Sequence, residues 1–258
     1  MIELKSVSKT IDGKQILKNI SFKLEEGEIF GLLGRNGSGK TTLLRLIQQI
    51  LLPDEGDIYF GSVKVKDHPL VKRNIVYMPV QNTYFEKYNY KQLVNILRNI
   101  YPDFDVTYAN ELMNRYDIPE TKKYRELSTG LKKQMSLILS FAIRPAVILL
   151  DEPTDGIDAV TRQDVLQLMV DEVAENNTTI LITSHRLEDI ERMCNRIGFL
   201  EDNTLSNIMD LDELKGDFIK IQMAFEEDVN LKIREREIPV LDHTGVFYTV
   251  LIPKADDV

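Results

Sequence analysis

The segment Gly34-Arg-Asn-Gly-Ser-Gly-Lys-Thr-Thr42 constrains this chain more than any other. It follows the apolar run Glu28-Ile-Phe-Gly-Leu-Leu33 and opens the helical pattern Thr42-Leu-Leu-Arg-Leu-Ile47. Strand, glycine loop and helix therefore follow one another, with the lysine at the helix start. Gly34, Gly37 and Gly39 let the backbone approach an anion closely, so that several N–H groups converge on it. The helix N-terminus behind them adds unpaired N–H donors and a partial positive charge. Lys40 reaches toward β- and γ-phosphates, and the Thr41 hydroxyl is suited to Mg²⁺. Asn36, Gly37, Ser38, Gly39, Lys40, Thr41 and Thr42 form the candidate triphosphate site.

The chain around this loop is long enough for one large domain or for one domain with a small appendage. It has 258 residues, 43% of them hydrophobic. No apolar run approaches the ~18 residues of a membrane span, and the N-terminus lacks the apolar core of a signal peptide. A cytoplasmic protein is expected. The net charge of -9 argues against nucleic acid as the main partner. One cysteine, Cys194, excludes an intrachain disulfide and a cysteine metal cage. His68, His185 and His243 show no metal-ligand spacing, so no structural metal is expected.

Periodicity gives the layout. Ile2–Val7 and Ile16–Leu24 read as antiparallel strands about the turn Asp12-Gly13, with a further strand near Asp57–Phe60. Asn74–Met78 reads as a buried strand ended by Pro79. Lys91–Tyr101, Val106–Tyr116 and the stretch from the cap Ser128 to Ala142 read as helices. Beyond them strands at Val147–Leu150, Thr178–Thr183 and Ile197–Glu201 alternate with helices at Val160–Ala174 and Arg186–Asn195. That alternation indicates an α/β fold with a parallel sheet. After Gly216 the pattern changes, and Phe218–Phe225 and Val246–Ile252 read as strands flanking charge-rich sequence. They suggest a small α+β or strand-pair appendage at 211–258, cut short near Val258.

Four further segments carry chemistry. Val147-Ile-Leu-Leu-Asp-Glu-Pro153 places two carboxylates at the C-terminal end of a buried strand, where ligands sit in open parallel sheets. Asp151 suits a Mg²⁺ shell and Glu152 suits polarising an attacking water. Leu127-Ser-Thr-Gly-Leu-Lys-Lys-Gln134 stands at a helix start, where Ser128 and Gly130 would present donors to an anion. Taken alone, Ser128 reads as an ordinary cap. His185, just past a strand end, is placed to sense a γ-phosphate. Gln81 ends another strand segment and would touch Mg²⁺ or water. The aromatics after it, Tyr84, Phe85, Tyr88 and Tyr90, mark either a protein contact or packing beneath a helical subdomain.

In this order the segments resemble the ATP-binding cassette of ABC transporters, over roughly residues 1–210. GRNGSGKT resembles the Walker A loop, VILLDEP the Walker B strand with its catalytic glutamate, and LSTGL the LSGGQ signature. Gln81, the run Gly156-Ile-Asp158 and His185 resemble the Q-loop, D-loop and switch histidine. The resemblance implies a P-loop NTPase cassette with a mixed sheet core, an antiparallel β subdomain and a helical subdomain over about 82–145. It implies an ATPase using ATP and Mg²⁺, with Glu152, His185, Lys40 and Gln81 catalytic. Thr41, Gln81 and Asp151 would hold the metal. It also implies an ATP-sandwich dimer, formed with a second copy or a sister chain, in which Ser128, Gly130 and Asp158 of one cassette complete the other's site. An integral membrane permease would be the partner, holding the cassette at the cytoplasmic face of the membrane. The segment from Gln81 through Tyr90 is the candidate contact with it.

Departures from the family pattern are informative. Thr129 and Leu131 replace a glycine and a glutamine of the signature, and Asp155 replaces a commoner Ser or Ala. Ile11 stands where the family usually offers an aromatic ring to adenine, so base recognition is expected to be weaker or supplied elsewhere. The form S-x-G-L-K-K, with YMPVQNTYFEKYNYKQL, resembles Gram-positive efflux cassettes for antibiotics or amphipathic peptides, the staphylococcal phenol-soluble modulin exporters among them. A soluble ABC ATPase acting on nucleic acid or the ribosome is the alternative. Roughly 90 residues between Lys40 and Ser128 leave little room for the coiled coil that such proteins insert. A non-hydrolysing ATP-binding module is disfavoured by Lys40, Glu152 and His185 standing together.

Overall fold

The computed structural model describes residues 1–211, 218–224, 240–244 and 246–253. The chain divides into two compact units, Met1–Ile208 and Met209–Val258.

The first unit starts with an antiparallel hairpin, β1 (Ile2–Ile11) and β2 (Lys14–Leu24), closed at Asp12-Gly13. β4 (Glu55–Phe60) pairs antiparallel with β1, and the short β5 (Val63–Lys64) with β4, giving the order β2-β1-β4-β5. The second sheet is built from β3 (Ile29–Leu33), β6 (Ile75–Met78), β7 (Val147–Asp151), β8 (Thr179–Ser184), β9 (Arg196–Glu201) and β10 (Thr204–Asp210). Its order is β10-β9-β3-β8-β7-β6, and the pairs β9-β3, β3-β8, β8-β7 and β7-β6 are parallel. Every residue of β3, β7 and β8 is buried. Unbroken apolar strands like these fit a sheet covered on both faces.

Helices fill the connections. α1 (Lys40–Ile47) buries Leu43, Leu44, Leu46 and Ile47 in a core shared with Ile2, Phe22, Phe30, Leu149 and Leu181. Each such fully buried Leu, Ile or Phe contributes about 1.5–3 kcal/mol. α2 (Tyr90–Ile100) starts with a capping box of Asn89 and Gln92 and buries Leu93, Val94 and Leu97. α3 (Val106–Arg115) is capped by Asp105, α4 (Thr129–Ala142) by Ser128 and α5 (Ala159–Asn176) by Asp158. α6 (Leu187–Met193) follows β8.

The helix expected over Arg186–Asn195 is shorter than its sequence pattern. Asn195 leaves it to bridge the sheet: its side chain accepts from the Ile29 N–H, and its own N–H donates to the Ile29 carbonyl, both at 2.9 Å. Cys194 is buried behind this bridge, and burial pushes its thiol pKa well up. β5 and β10 lie outside the periodic reading. β10 follows a two-residue turn in which Asp202 and Asn203 both have positive φ, the geometry that tight hairpins need.

The second unit contains a three-stranded antiparallel sheet, β11 (Phe218–Ala224), β12 (Val240–Thr244) and β13 (Phe247–Pro253), in the order β11-β13-β12. The expected strand pair is thus corrected to three strands. β12 is too short and polar to alternate, and its strand state comes from backbone pairing with β13. The rest of the charge-rich connection, any helix of the expected α+β appendage and the last residues before Val258 lie outside the described residues.

Candidate active site

Parallel pairing brings the chemistry to one edge of the large sheet. Leu33 lies beside Ser184, Asp151 beside Thr183, and Met78 beside Leu150. The loop after β3, the carboxylates ending β7, the histidine after β8 and the segment after β6 therefore leave the sheet together.

The glycine loop ends at Gly39, which caps α1 with φ 109 and ψ 4. The conformation favours glycine, and the space is tight, since a Cβ there would sit 3.0 Å from Leu17 Cδ2 and 3.2 Å from Ile16 Cγ2. The first hydrogen bond of α1 runs from Leu43 N–H to the Gly39 carbonyl. The N–H groups of Lys40, Thr41 and Thr42 thus have no acceptor within the helix. Asn36 and Gly37 are exposed at the loop tip, and Ser38 is half-buried. The Ser38 Oγ is buried without a hydrogen-bond partner, a cost that a bound oxyanion would remove.

Lys40 is buried at 6% exposure. Its ammonium donates to the carbonyls of Gly34 at 2.7 Å and Arg35 at 3.3 Å, and lies 3.3 Å from Glu152 Oε1. That carboxylate oxygen is buried and has no aligned donor. The other, Oε2, lies 2.9 Å from His185 Nδ1. Glu152 therefore sits between the lysine of the loop and the histidine after β8.

Asp151 is almost fully buried. Its Oδ2 accepts from the Thr41 hydroxyl at 2.8 Å and the Tyr77 hydroxyl at 3.1 Å, and its Oδ1 from the Thr183 hydroxyl at 2.9 Å. Burial and the Asp151 charge push the Tyr77 pKa up to about 12, so Tyr77 remains a donor. Asp151 and Thr41 are poised as a pair of hard oxygen donors. Among the described residues no group of three or more His, Cys, Asp or Glu would hold a metal. This donor set suits a Mg²⁺ that takes its other ligands from phosphates and water, as that ion commonly does.

Glu152 has φ 47, in the left-handed region, which costs an ordinary residue about 1–2 kcal/mol. Its N–H donates to Thr183 Oγ1 at 3.0 Å, and its carbonyl accepts from Lys133 at 2.9 Å and from the Asp155 N–H at 3.2 Å. Thr183 thus serves both the Asp151 carboxylate and the Glu152 backbone.

Other expected site residues stand differently. The Gln81 side chain is exposed. The nearby contribution of its segment is the Val80 carbonyl, which accepts from Lys133 at 2.8 Å. Ile11 ends β1 opposite Lys14, and it is Ile16 that packs toward the loop at Gly39. Ser128 is exposed and caps α4 by accepting from Leu131 N–H at 3.3 Å. Gly130 lies where α4 crosses α5, and a Cβ there would come within 2.7 Å of Thr161 Cγ2. Asp158 caps α5 through the N–H groups of Val160 and Thr161. Ser128, Gly130 and Asp158 thus cluster at the facing starts of two helices.

The aromatic stretch divides. Tyr84 is 84% exposed and Tyr88 39%. Phe85 packs edge-on to Tyr124 at 5.7 Å, and Tyr90 is buried with its hydroxyl on Asn110. Periodicity did not single out Tyr77, Thr183 or Lys133. The first two hide within apolar strands, and Lys133 reads as one more charge on a helix.

The family model described as ABC transporter matches residues 17–155, more than half of the chain. The chain is 77% identical over 257 residues to the ABC transporter ATP-binding protein YtrB of Bacillus subtilis, across 100% of this chain and 88% of that protein. It is 35% identical over 213 residues to the spermidine/putrescine import ATP-binding protein PotA of Fusobacterium nucleatum, across 77% of this chain and 54% of that one. A solved dimeric bacterial ABC transporter cassette superposes with a TM-score of 0.71 at 25% identity, covering 82% of this chain and 99% of that one. Among the described residues no helix is long and apolar enough to cross a membrane. This chain belongs to the ABC transporter family, as an ATP-binding subunit whose hydrolysis of ATP powers transport through a membrane partner.

Proposed function

We propose that residues 1–210 form the ATPase cassette, with a helical part over 82–145, and that its γ-phosphate site is the cluster Lys40, Thr41, Asp151, Glu152 and His185. The observation that carries this reading is Glu152, held between Lys40 and His185 on the same sheet edge as the glycine loop. The loop N–H groups, Ser38 Oγ and Lys40 grip the phosphates. Glu152 accepts a proton from the attacking water and His185 orients the carboxylate. Thr41 and Asp151 would hold Mg²⁺, which would supply positive charge to offset that of the phosphates. Gln81 joins from its exposed position when a partner seats the segment. Adenine rests on an apolar surface from Ile16 and Ile11, which gives weaker base discrimination than an aromatic ring.

Two cassettes then close head to tail. Ser128 and Gly130 of one face the phosphates gripped by Lys40 of the other, with Asp158 beside them. The solved dimeric relative supports this pairing. ATP favours the closed pair and hydrolysis releases it, which drives a permease between two states at the cytoplasmic face of the membrane. The exposed Tyr84 and Tyr88 supply the permease contact. Export of an amphipathic or antimicrobial peptide or a drug, as in phenol-soluble modulin exporters, follows from the S-x-G-L-K-K signature. One relative, PotA, is named for import, so direction is the point to test.

The experiment is to purify the chain with whatever integral membrane protein accompanies it in mild detergent, and to reconstitute both in vesicles. ATP-driven movement of an amphipathic peptide away from the cassette side supports export. Movement toward that side, or co-purification with ribosomes instead of a permease, overturns it.

A further inference from the structure

A buried lysine ties three parts of this site together. Lys133 lies on α4, the helix that Ser128 caps, at 6% exposure. Its ammonium donates to the Val80 carbonyl at 2.8 Å and to the Glu152 carbonyl at 2.9 Å. These carbonyls belong to the segments that follow β6 and β7. Burial lowers the lysine's pKa, and the charges of Asp155, Asp151 and Glu152 oppose that shift. A charge kept in such a place, with both contacts made to backbone, fixes chain geometry rather than side-chain identity.

The geometry it fixes is unusual. Glu152 has φ 47, a conformation that needs support in a residue other than glycine. Its N–H is held by Thr183 Oγ1 at 3.0 Å, and its carbonyl by Lys133 and the Asp155 N–H. Rotation of either flanking peptide would swing the carboxylate away from Lys40 and His185.

We infer that Lys133 is a positioning residue: by clamping the carbonyls of Glu152 and Val80 together, it holds the left-handed backbone that aims the Glu152 carboxylate. The clamp links that aim to α4 and to the segment entering Gln81. A displacement of α4 thereby reaches the base through one side chain. Lys133 is not a catalytic residue, since it acts through the Glu152 backbone. The inference rests on Glu152 being the base.

The test uses the full chain and four proteins: wild type, Lys133→Met, Lys133→Arg and Glu152→Gln. Lys133→Met keeps volume and removes the donors, while Lys133→Arg keeps charge and donors. The readouts are kcat and KM for ATP, and the fraction of chains that bind a fluorescent ATP analogue. For Lys133→Met, kcat per binding-competent chain is expected to fall about 10-fold or more, with KM within about twofold, because small misplacements of a reacting group cost that much. Lys133→Arg is expected to recover a large part of the rate. A Met variant that keeps more than half of kcat per competent chain overturns the inference. So does an Arg variant that binds the analogue normally but is as slow as Met. Should the Met variant not fold, Lys133→Gln carries the test with the same two outcomes. Glu152→Gln at wild-type rate overturns the base assignment itself. Glu152→Gln inactive beside an active Lys133→Met overturns only the role of Lys133.

Discussion

Thr41 Oγ1 donates to Asp151 Oδ2 at 2.8 Å, joining the first turn of α1 to the last residue of β7. The Tyr77 hydroxyl from β6 reaches the same oxygen at 3.1 Å, and Thr183 from β8 takes the other at 2.9 Å. One carboxylate thus binds three strands and a helix at the edge where the glycine loop lies. The same contacts fix the Thr41 hydroxyl and the carboxylate as oxygen donors side by side.

Lys40→Ala removes the cation that the loop directs at the phosphates. It is expected to weaken ATP binding by about 3 kcal/mol or more, the scale of a charge-assisted pair lost from a buried site. Titration with a fluorescent ATP analogue measures this, and unchanged affinity would refute the placement of the triphosphate.

Glu152→Gln keeps the shape of the base and removes its ability to take a proton. ATP turnover is expected to fall about 10²–10⁴-fold with nucleotide binding retained. Light scattering should then find an ATP-dependent dimer. Rapid turnover by this variant would dismiss Glu152 as base.

Tyr77→Phe deletes one donor to a buried, charged acceptor without changing the ring. Stability is expected to drop by about 1.5–3 kcal/mol in chemical denaturation. A variant as stable as wild type would mean that water satisfies Asp151 equally well.

Asp105 caps α3 by accepting from the Tyr108 N–H at 2.9 Å and pairs with Arg144 at 2.8 Å. The Tyr108 N–H foremost, and then Arg144, hold its carboxyl pKa below the ordinary 3.8. A depressed carboxyl pKa gives stability that is present above the unfolded value and disappears as the pH falls through the folded one. Asp105→Ala is therefore expected to cost about 1 kcal/mol near pH 7, the usual worth of such a cap. The gap to wild type should narrow as the pH drops below 3.8, which urea unfolding across pH 7 to 3 would register. A gap that widened on acidification would contradict the assignment.

Gly130→Ala places a methyl 2.7 Å from Thr161 Cγ2, where α4 crosses α5. The overpacking is expected to lower stability by about 1–3 kcal/mol. A thermal midpoint equal to that of wild type would show that the helices separate at no cost, and would leave anion contact as the reason for glycine.

The sequence by itself determined the local pieces: a glycine loop between strand and helix, two carboxylates ending an apolar strand, and the cap Ser128. Each of these is short-range, set by backbone conformation or by hydrogen bonds to neighbouring residues. Resemblance supplied the family and the expected roles of Glu152 and His185. The sequence did not place Ile16 rather than Ile11 against the loop, since which apolar side chain meets Gly39 depends on how β2 lies over it. Nor did it reveal Tyr77 and Thr183 as partners of Asp151, because the parallel register that sets them beside it joins residues 74 and 32 positions away along the chain. Lys133 was legible only as a surface-type charge. Tertiary packing buried it between two carbonyls from distant segments, and there it acquired the task of holding a strained backbone. Contacts of this kind depend on parallel strands brought together by long crossovers, and no local pattern encodes which ends will meet.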